Sequence, residues 1–187
     1  VAVLSAEASQ ALDQVKQLYR ELDCRRSDVQ KRHDYFRGKQ ALRFASDKWR
    51  EFNAERYEEF SDNWCGVVAN SPNERLRIDG FRLDDDPETS SDEKQLWRYW
   101  QDNDMDAQSS QGFLESIITA RSFTLTWGDR VTDEPVTTWE RADQVAVAYD
   151  PENPRRRVAA LKTWHDGDTE FATLYTPESV WKWQRRY

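Results

Sequence analysis

The spacing of apolar residues changes at Ser122, and few folds accommodate both halves of such a chain. Upstream the period is three to four residues: Leu4, Ala8, Ala11, Leu12, Val15, Leu18, Tyr19 and Leu22 form one stripe, with Glu7, Asp13, Lys16, Gln17, Arg20 and Glu21 opposite. That is the pattern of a helix with one buried face, and it runs on through Val29 and Phe36 to a capping glycine at Gly38. Ser46 is expected to open a second helix carrying Trp49, Phe52, Tyr57 and Phe60. Residues 63–69 predict a third, short and buried, stopped by Pro72. Leu76 and Ile78 alternate as a strand does, and Gly80 shifts the phase before Phe81 and Leu83, as a bulge would. The acidic run Asp84-Asp85-Asp86 before Pro87 reads as a loop. Ser90 and Glu93 then offer a capping box for a helix bearing Leu96, Trp97 and Trp100. Asn103 as a C-cap and Asp106 as the next N-cap introduce a further helix with Met105, Phe113, Ile117 and Ala120.

Downstream the period is two. Phe123, Leu125 and Trp127 alternate up to a turn at Gly128-Asp129, and strands are expected at 136–139, 145–149 and 158–164. Residues 150–154 make a turn. Asp166-Gly167 signals a hairpin before the alternation of Phe171, Thr173 and Tyr175, and residues 180–183 read as a last strand. Helices first and an antiparallel meander after them make the fold class α+β. The division expected is residues 1–121, mainly helical with one strand near 76–83, and residues 122–187, antiparallel β.

Composition narrows the function. The chain has 187 residues, a formal net charge of -8, 33% charged and only 37% hydrophobic residues. Its 9 Trp, 7 Tyr and 8 Phe supply the bulk that disordered chains lack, so a small, patchy aromatic core is expected, with more surface buried against copies or a partner. No apolar run approaches the 18 residues of a membrane span, and residues 1–5 lack the basic and apolar regions of a signal peptide. Cys24 and Cys65 have no ligand-pair spacing, which suits a reduced, cytoplasmic protein with structural thiols. The acidic balance argues against binding DNA by phosphate neutralisation.

No enzyme signature survives inspection. Both glycine-rich phosphate loops are absent, and His33 and His165 lack a second His or Cys at zinc spacing, so no metal and no cofactor is expected. Asp102, Asp104 and Asp106 imitate the start of a calcium loop, but Ala107 and Phe113 stand where the pattern needs Gly and Glu. Among 35 acids nothing singles out a catalytic pair. Trp97 and Trp100, three apart on one helix, serve core or interface packing; a stacking platform for sugars or bases is the competing use.

The order of several short segments resembles the portal proteins of tailed bacteriophages, of the long-tailed type found in actinobacterial phages. The segments are Tyr35-Phe36-Arg37-Gly38, Asn63-Trp64 with Val67-Val68, residues 75–82, and Trp97-x-x-Trp100-Gln101-x-Asn103-x-Met105-Asp106. Ala120-Arg121-Ser122-Phe123 and Thr173-Leu174-Tyr175-Thr176-Pro177 complete them. Such proteins often have Gly-Arg where Ala120-Arg121 stands, and a helix unbroken at the place of Pro72.

The resemblance covers only the N-terminal wing of a portal; the stem, clip and crown have no counterpart in this chain. It implies a structural subunit of a ring, generally a dodecamer, at one capsid vertex of the virion, assembled in the host cytoplasm. Its partners would be further copies of itself, the major capsid protein, the terminase and a head–tail adaptor protein. Double-stranded DNA would pass through the ring during packaging and ejection without specific binding. Trp64, Arg75, Phe81, Trp97, Trp100, Asn103 and Asp106 are the candidates for packing or subunit contact. A Trp-rich cytoplasmic module binding carbohydrate or peptide is the principal alternative, and a carboxylate-dependent hydrolase a second.

Overall fold

The computed structural model describes residues 5–39, 46, 48, 51, 52, 63–83 and 91–186. Among these, helices α1 (Ala6–Phe36), α2 (Trp64–Asn73), α3 (Ser91–Asp102) and α4 (Met105–Thr119) precede all the strands. The strands are β1 (Phe123–Gly128), β2 (Pro135–Glu140), β3 (Val145–Tyr149), β4 (Arg157–Asp166), β5 (Thr169–Tyr175) and β6 (Val180–Arg186). They pair antiparallel in a β1-β2 hairpin and a β3-β4-β5-β6 meander. The fold is α+β.

Compactness does not follow the helix-to-strand boundary. One unit, here the terminal unit, is built from residues 1–29 and 141–187; the other, the central unit, is residues 30–140. In the terminal unit Ala11, Val15, Leu18 and Leu22 of α1 cluster with Ala146, Ala159, Leu161 and Leu174 of the meander. Leu161 sits opposite both Ala146 and Leu174, so one column of side chains crosses three strands. The β4-to-β5 turn needs a positive φ, and Gly167 supplies it at 54°.

The central unit contains α2, α3, α4 and the β1-β2 hairpin. The end of α1, which lies in it, closes as a Schellman motif. Gly38 has φ 72°, Lys39 N–H reaches Asp34 O at 2.7 Å, and Gly38 N–H reaches Tyr35 O at 3.2 Å. Asn63 then joins two helix ends. Its Nδ2 donates to Phe36 O (2.7 Å) and its Oδ1 accepts from Gly66 N–H (2.9 Å) at the start of α2. A Cβ on Gly66 would lie 2.6 Å from Nδ2 of that side chain, so the cap needs a glycine there. Helix α4 approaches β2 so closely that a Cβ on Gly112 would fall 1.9 Å from the Trp139 ring.

Several expectations are corrected. Pro72 does not stop α2 but lies inside it; the helix ends at Asn73, so the ring costs one donor in a last turn where few remain to be made. That helix is also not buried throughout, since Gly66, Ala69 and Asn73 face inward while Trp64, Cys65, Val67 and Val68 are exposed. Residues 76–83 form no strand, because no described strand runs beside them. Asp104, with φ 52°, takes the N-cap position of α4, and Asp106 sits inside the first turn. In the expected second helix Lys48, Glu51 and Phe52 are helical, while Trp49, Tyr57 and Phe60 lie outside the described residues, as do Leu4, Asp84, Asp85, Asp86, Pro87 and Ser90.

Candidate functional site

All seven residues singled out in the sequence belong to the central unit. Trp64 is 70% exposed beside Val67 and Val68 on α2, and Arg75, just beyond that helix, is exposed. Phe81, Trp97 and Trp100 meet. The two indoles stack at 6.3 Å with planes 10° apart, and Phe81 stands edge-on to Trp100 at 5.6 Å and tilted to Trp97 at 6.2 Å. Phe113 of α4 meets Trp139 at 5.4 Å.

The α3–α4 junction holds the rest. Asp106 accepts the Trp100 indole N–H at 2.8 Å and the Gln101 amide at 2.7 Å, which fixes the orientation of one indole of the stack. The Asn103 side chain works in two directions. Its Nδ2 donates to Tyr99 O (2.7 Å), closing the end of α3, and to Pro135 O (2.9 Å), while its Oδ1 accepts Thr137 N–H (2.7 Å). Gln108 continues the same edge of β2 by accepting Trp139 N–H at 3.1 Å and donating to Asn103 O at 2.9 Å. Two side chains thus stand where a third strand would pair. What this arrangement does chemically is splint and orient.

The terminal unit carries a polar network that the sequence did not announce. Glu170 is buried and accepts from Tyr19 Oη (2.8 Å) and Arg185 (2.5 Å), with His165 Nε2 3.8 Å away. Arg26 bonds Tyr19 Oη, Thr163 Oγ1 and Asp143 O. Burial raises the Tyr19 pKa, an effect that Glu170 reinforces and the Arg26 bond opposes. The phenol therefore stays neutral at physiological pH and works as a donor. Nearby, a cleft of about 380 Å³ is walled by Leu12, Val15, Ala172 and Trp183. In the central unit His33 is buried, its Nε2 3.1 Å from Glu115 Oε2, an ion-pair distance at an angle that makes no hydrogen bond. His165, Cys24 and Cys65 are exposed. Among the described residues no group of three or more His, Cys, Asp or Glu side chains could hold a metal ion.

Sequence reasoning missed Tyr19, Arg26 and Glu170, because nothing local couples residues 151 apart. It also missed the close contact of Gly112 with Trp139. There a signal existed: an isolated glycine inside a helical pattern commonly marks close packing.

Comparison with known proteins now bears on these features. Residues 15–187 match the family model described as phage portal protein, SPP1 Gp6-like. The chain is 30% identical over 128 residues to the portal protein of Mycobacterium phage D29, and 29% identical over 132 residues to that of Mycobacterium phage L5. Each match covers 64% of this chain and 26% of the relative, so the chain spans about a quarter of the length of the curated relatives it matches.

Proposed function

Because the chain belongs to the phage portal protein family of the SPP1 Gp6-like type, we propose that it is the wing part of a structural subunit that assembles with its copies into a ring at a capsid vertex. DNA passes through that ring during packaging and ejection. The terminase, the major capsid protein and a head–tail adaptor dock on it, and the chain itself catalyses nothing. The observation that carries this reading is the family match from residue 15 to residue 187, which includes residues of both compact units.

Physical features agree with it. Each copy brings a net charge of -8, so a passage lined by such copies gives phosphates no deep trap and lets a duplex move. Asn63, Asn103 and Asp106 of the family-like segments act as caps and splints, which suits a part whose work is to hold shape.

Electron microscopy and native mass spectrometry of the intact protein test the reading. Closed rings of identical subunits with an axial opening are expected. A monomer at every salt and protein concentration overturns it. Binding of a random duplex should be weak and should change little with salt; submicromolar affinity that collapses as salt rises would replace the passive conduit by a phosphate-gripping surface.

A further inference from the structure

The β1-β2 hairpin has two edges, and they are treated differently. Along β2 three outward groups are taken up: Pro135 O and Thr137 N–H by Asn103, and Trp139 N–H by Gln108. Along β1 they are not. The register pairs Thr126 with Thr137 and Thr124 with Trp139, and the bond from Asp129 N–H to Glu134 O at 2.9 Å sets which pairs exchange hydrogen bonds. Alternation makes Phe123, Leu125 and Trp127 the bonded positions and turns the backbone groups of Thr124, Thr126 and Gly128 away from β2. No described residue bonds those groups, and Thr124, Thr126, Trp127 and Gly128 are all exposed.

The composition of this edge points the same way. Phe-Thr-Leu-Thr-Trp-Gly contains no charge in a chain that is 33% charged, and no proline or bulge interrupts it. Native proteins blunt an open edge with lysine, proline or a bulge, as β6 does with Lys182 and Arg186. A long, uncharged, β-prone edge without such protection is a site for another strand.

We propose that β1 is an inter-subunit seam, where a strand from a second copy of this chain adds to the hairpin. Electrostatics favours a copy as the occupant. Subunits each carrying -8 repel one another, and a neutral edge lets two of them meet without opposing like charges. The incoming strand is not β1 itself, since β1 against β1 closes a two-fold dimer, whereas a ring needs two different surfaces in contact. This proposal rests on the ring reading above and says where neighbours join.

The test uses the intact protein with Thr126→Pro and Thr126→Lys. The Thr126 N–H points away from β2, so proline removes no backbone hydrogen bond of the hairpin, and lysine keeps the N–H but charges the edge; both lose the exposed Thr126 Oγ1–Thr137 Oγ1 bond of 3.0 Å, a loss they share. Circular dichroism checks that each variant is folded. The affinity between subunits, read from ring disassembly on dilution, should fall on the order of tenfold or more in both, as expected for losing a few hydrogen bonds. Hydrogen exchange in unsubstituted rings supplies a second readout that no misfolding can imitate: the Thr124 and Thr126 amides should be protected in the ring and exchange freely in dissociated subunits. Rings of undiminished affinity in both folded variants, or free exchange of these two amides within rings, overturn the seam while leaving the ring reading intact. Unsubstituted protein that never forms rings overturns the ring reading, and the seam with it.

Discussion

The two compact units of this chain are held together by different means. Among the described residues only Ala69 and Met105 are buried apolar side chains of the central unit; all the others belong to the terminal unit. The terminal unit is a conventional core in which about three turns of a helix cover a meander, with one charged network at its side. The central unit depends on side chains that bond to backbone: Asn63 between two helix ends, Asn103 and Gln108 along β2, and Asp106 under an indole. A chain with 37% hydrophobic residues can fill one core well, and it holds the rest in place with polar splints.

The largest effect should come from the terminal unit. Leu161→Ala, which empties a fully buried site, should lower stability by about 2–5 kcal/mol in urea unfolding. A loss under about 1 kcal/mol, the range of surface substitutions, would break the contrast. Next, Gly112→Ala forces a methyl into the Trp139 ring, and a loss of about 1–3 kcal/mol or more is expected, followed by tryptophan fluorescence. A stable variant would mean that α4 and β2 can separate cheaply.

Two smaller effects sharpen the comparison. Asn103→Ala should cost about 2 kcal/mol by leaving both Thr137 N–H and Pro135 O without their partner. Asn103→Asp keeps the acceptor and loses both donor bonds, so it should fall between the parent and the alanine variant. An aspartate variant no better than alanine would show that the donated bonds carry the splint. The smallest effect is one of pH. The Tyr19 pKa is raised in the folded state, so its contribution is complete below pH 10 and is lost as pH climbs through the folded-state value. The stability difference between the parent and Tyr19→Phe should therefore be constant from pH 7 to 9 and shrink at more alkaline pH. A difference that stays unchanged as the pH rises beyond 10 would remove the network as a titrating element.

Much of the architecture was legible, for identifiable reasons. The stripe through Leu18 and Leu22 and the alternation of Phe123, Leu125 and Trp127 are local patterns, and local patterns name elements. Gly38 was readable as a cap because few other residues adopt φ 72° without strain. Residues 76–83 misled because alternation announces a strand but cannot supply its partner. Asp104 and Asp106 are the same residue type two positions apart, and the backbone conformation at Asp104, not its chemistry, chose the cap. At the candidate site, the sequence singled out Asn103 and Trp100 but not their tasks. Bonding to Pro135 O and Thr137 N–H is a fact about a strand thirty residues away.

The terminal unit is assembled from both ends of the chain, and this governs the order in which it can fold. The central unit is contiguous, so it is complete in sequence once residue 140 has been made. Helix α1 is synthesised well over a hundred residues before Leu161 and Leu174, which cover its apolar stripe. The Tyr19–Glu170 bond closes over 151 residues. At ribosomal speeds that interval is roughly 8–30 s. Through that time the apolar stripe of Val15, Leu18 and Leu22 has no sheet to receive it, which leaves α1 open to chaperones and to premature association on polysomes. Contacts this distant in sequence carry a high loop-closure cost, which weighs on the rate at which the meander closes onto α1.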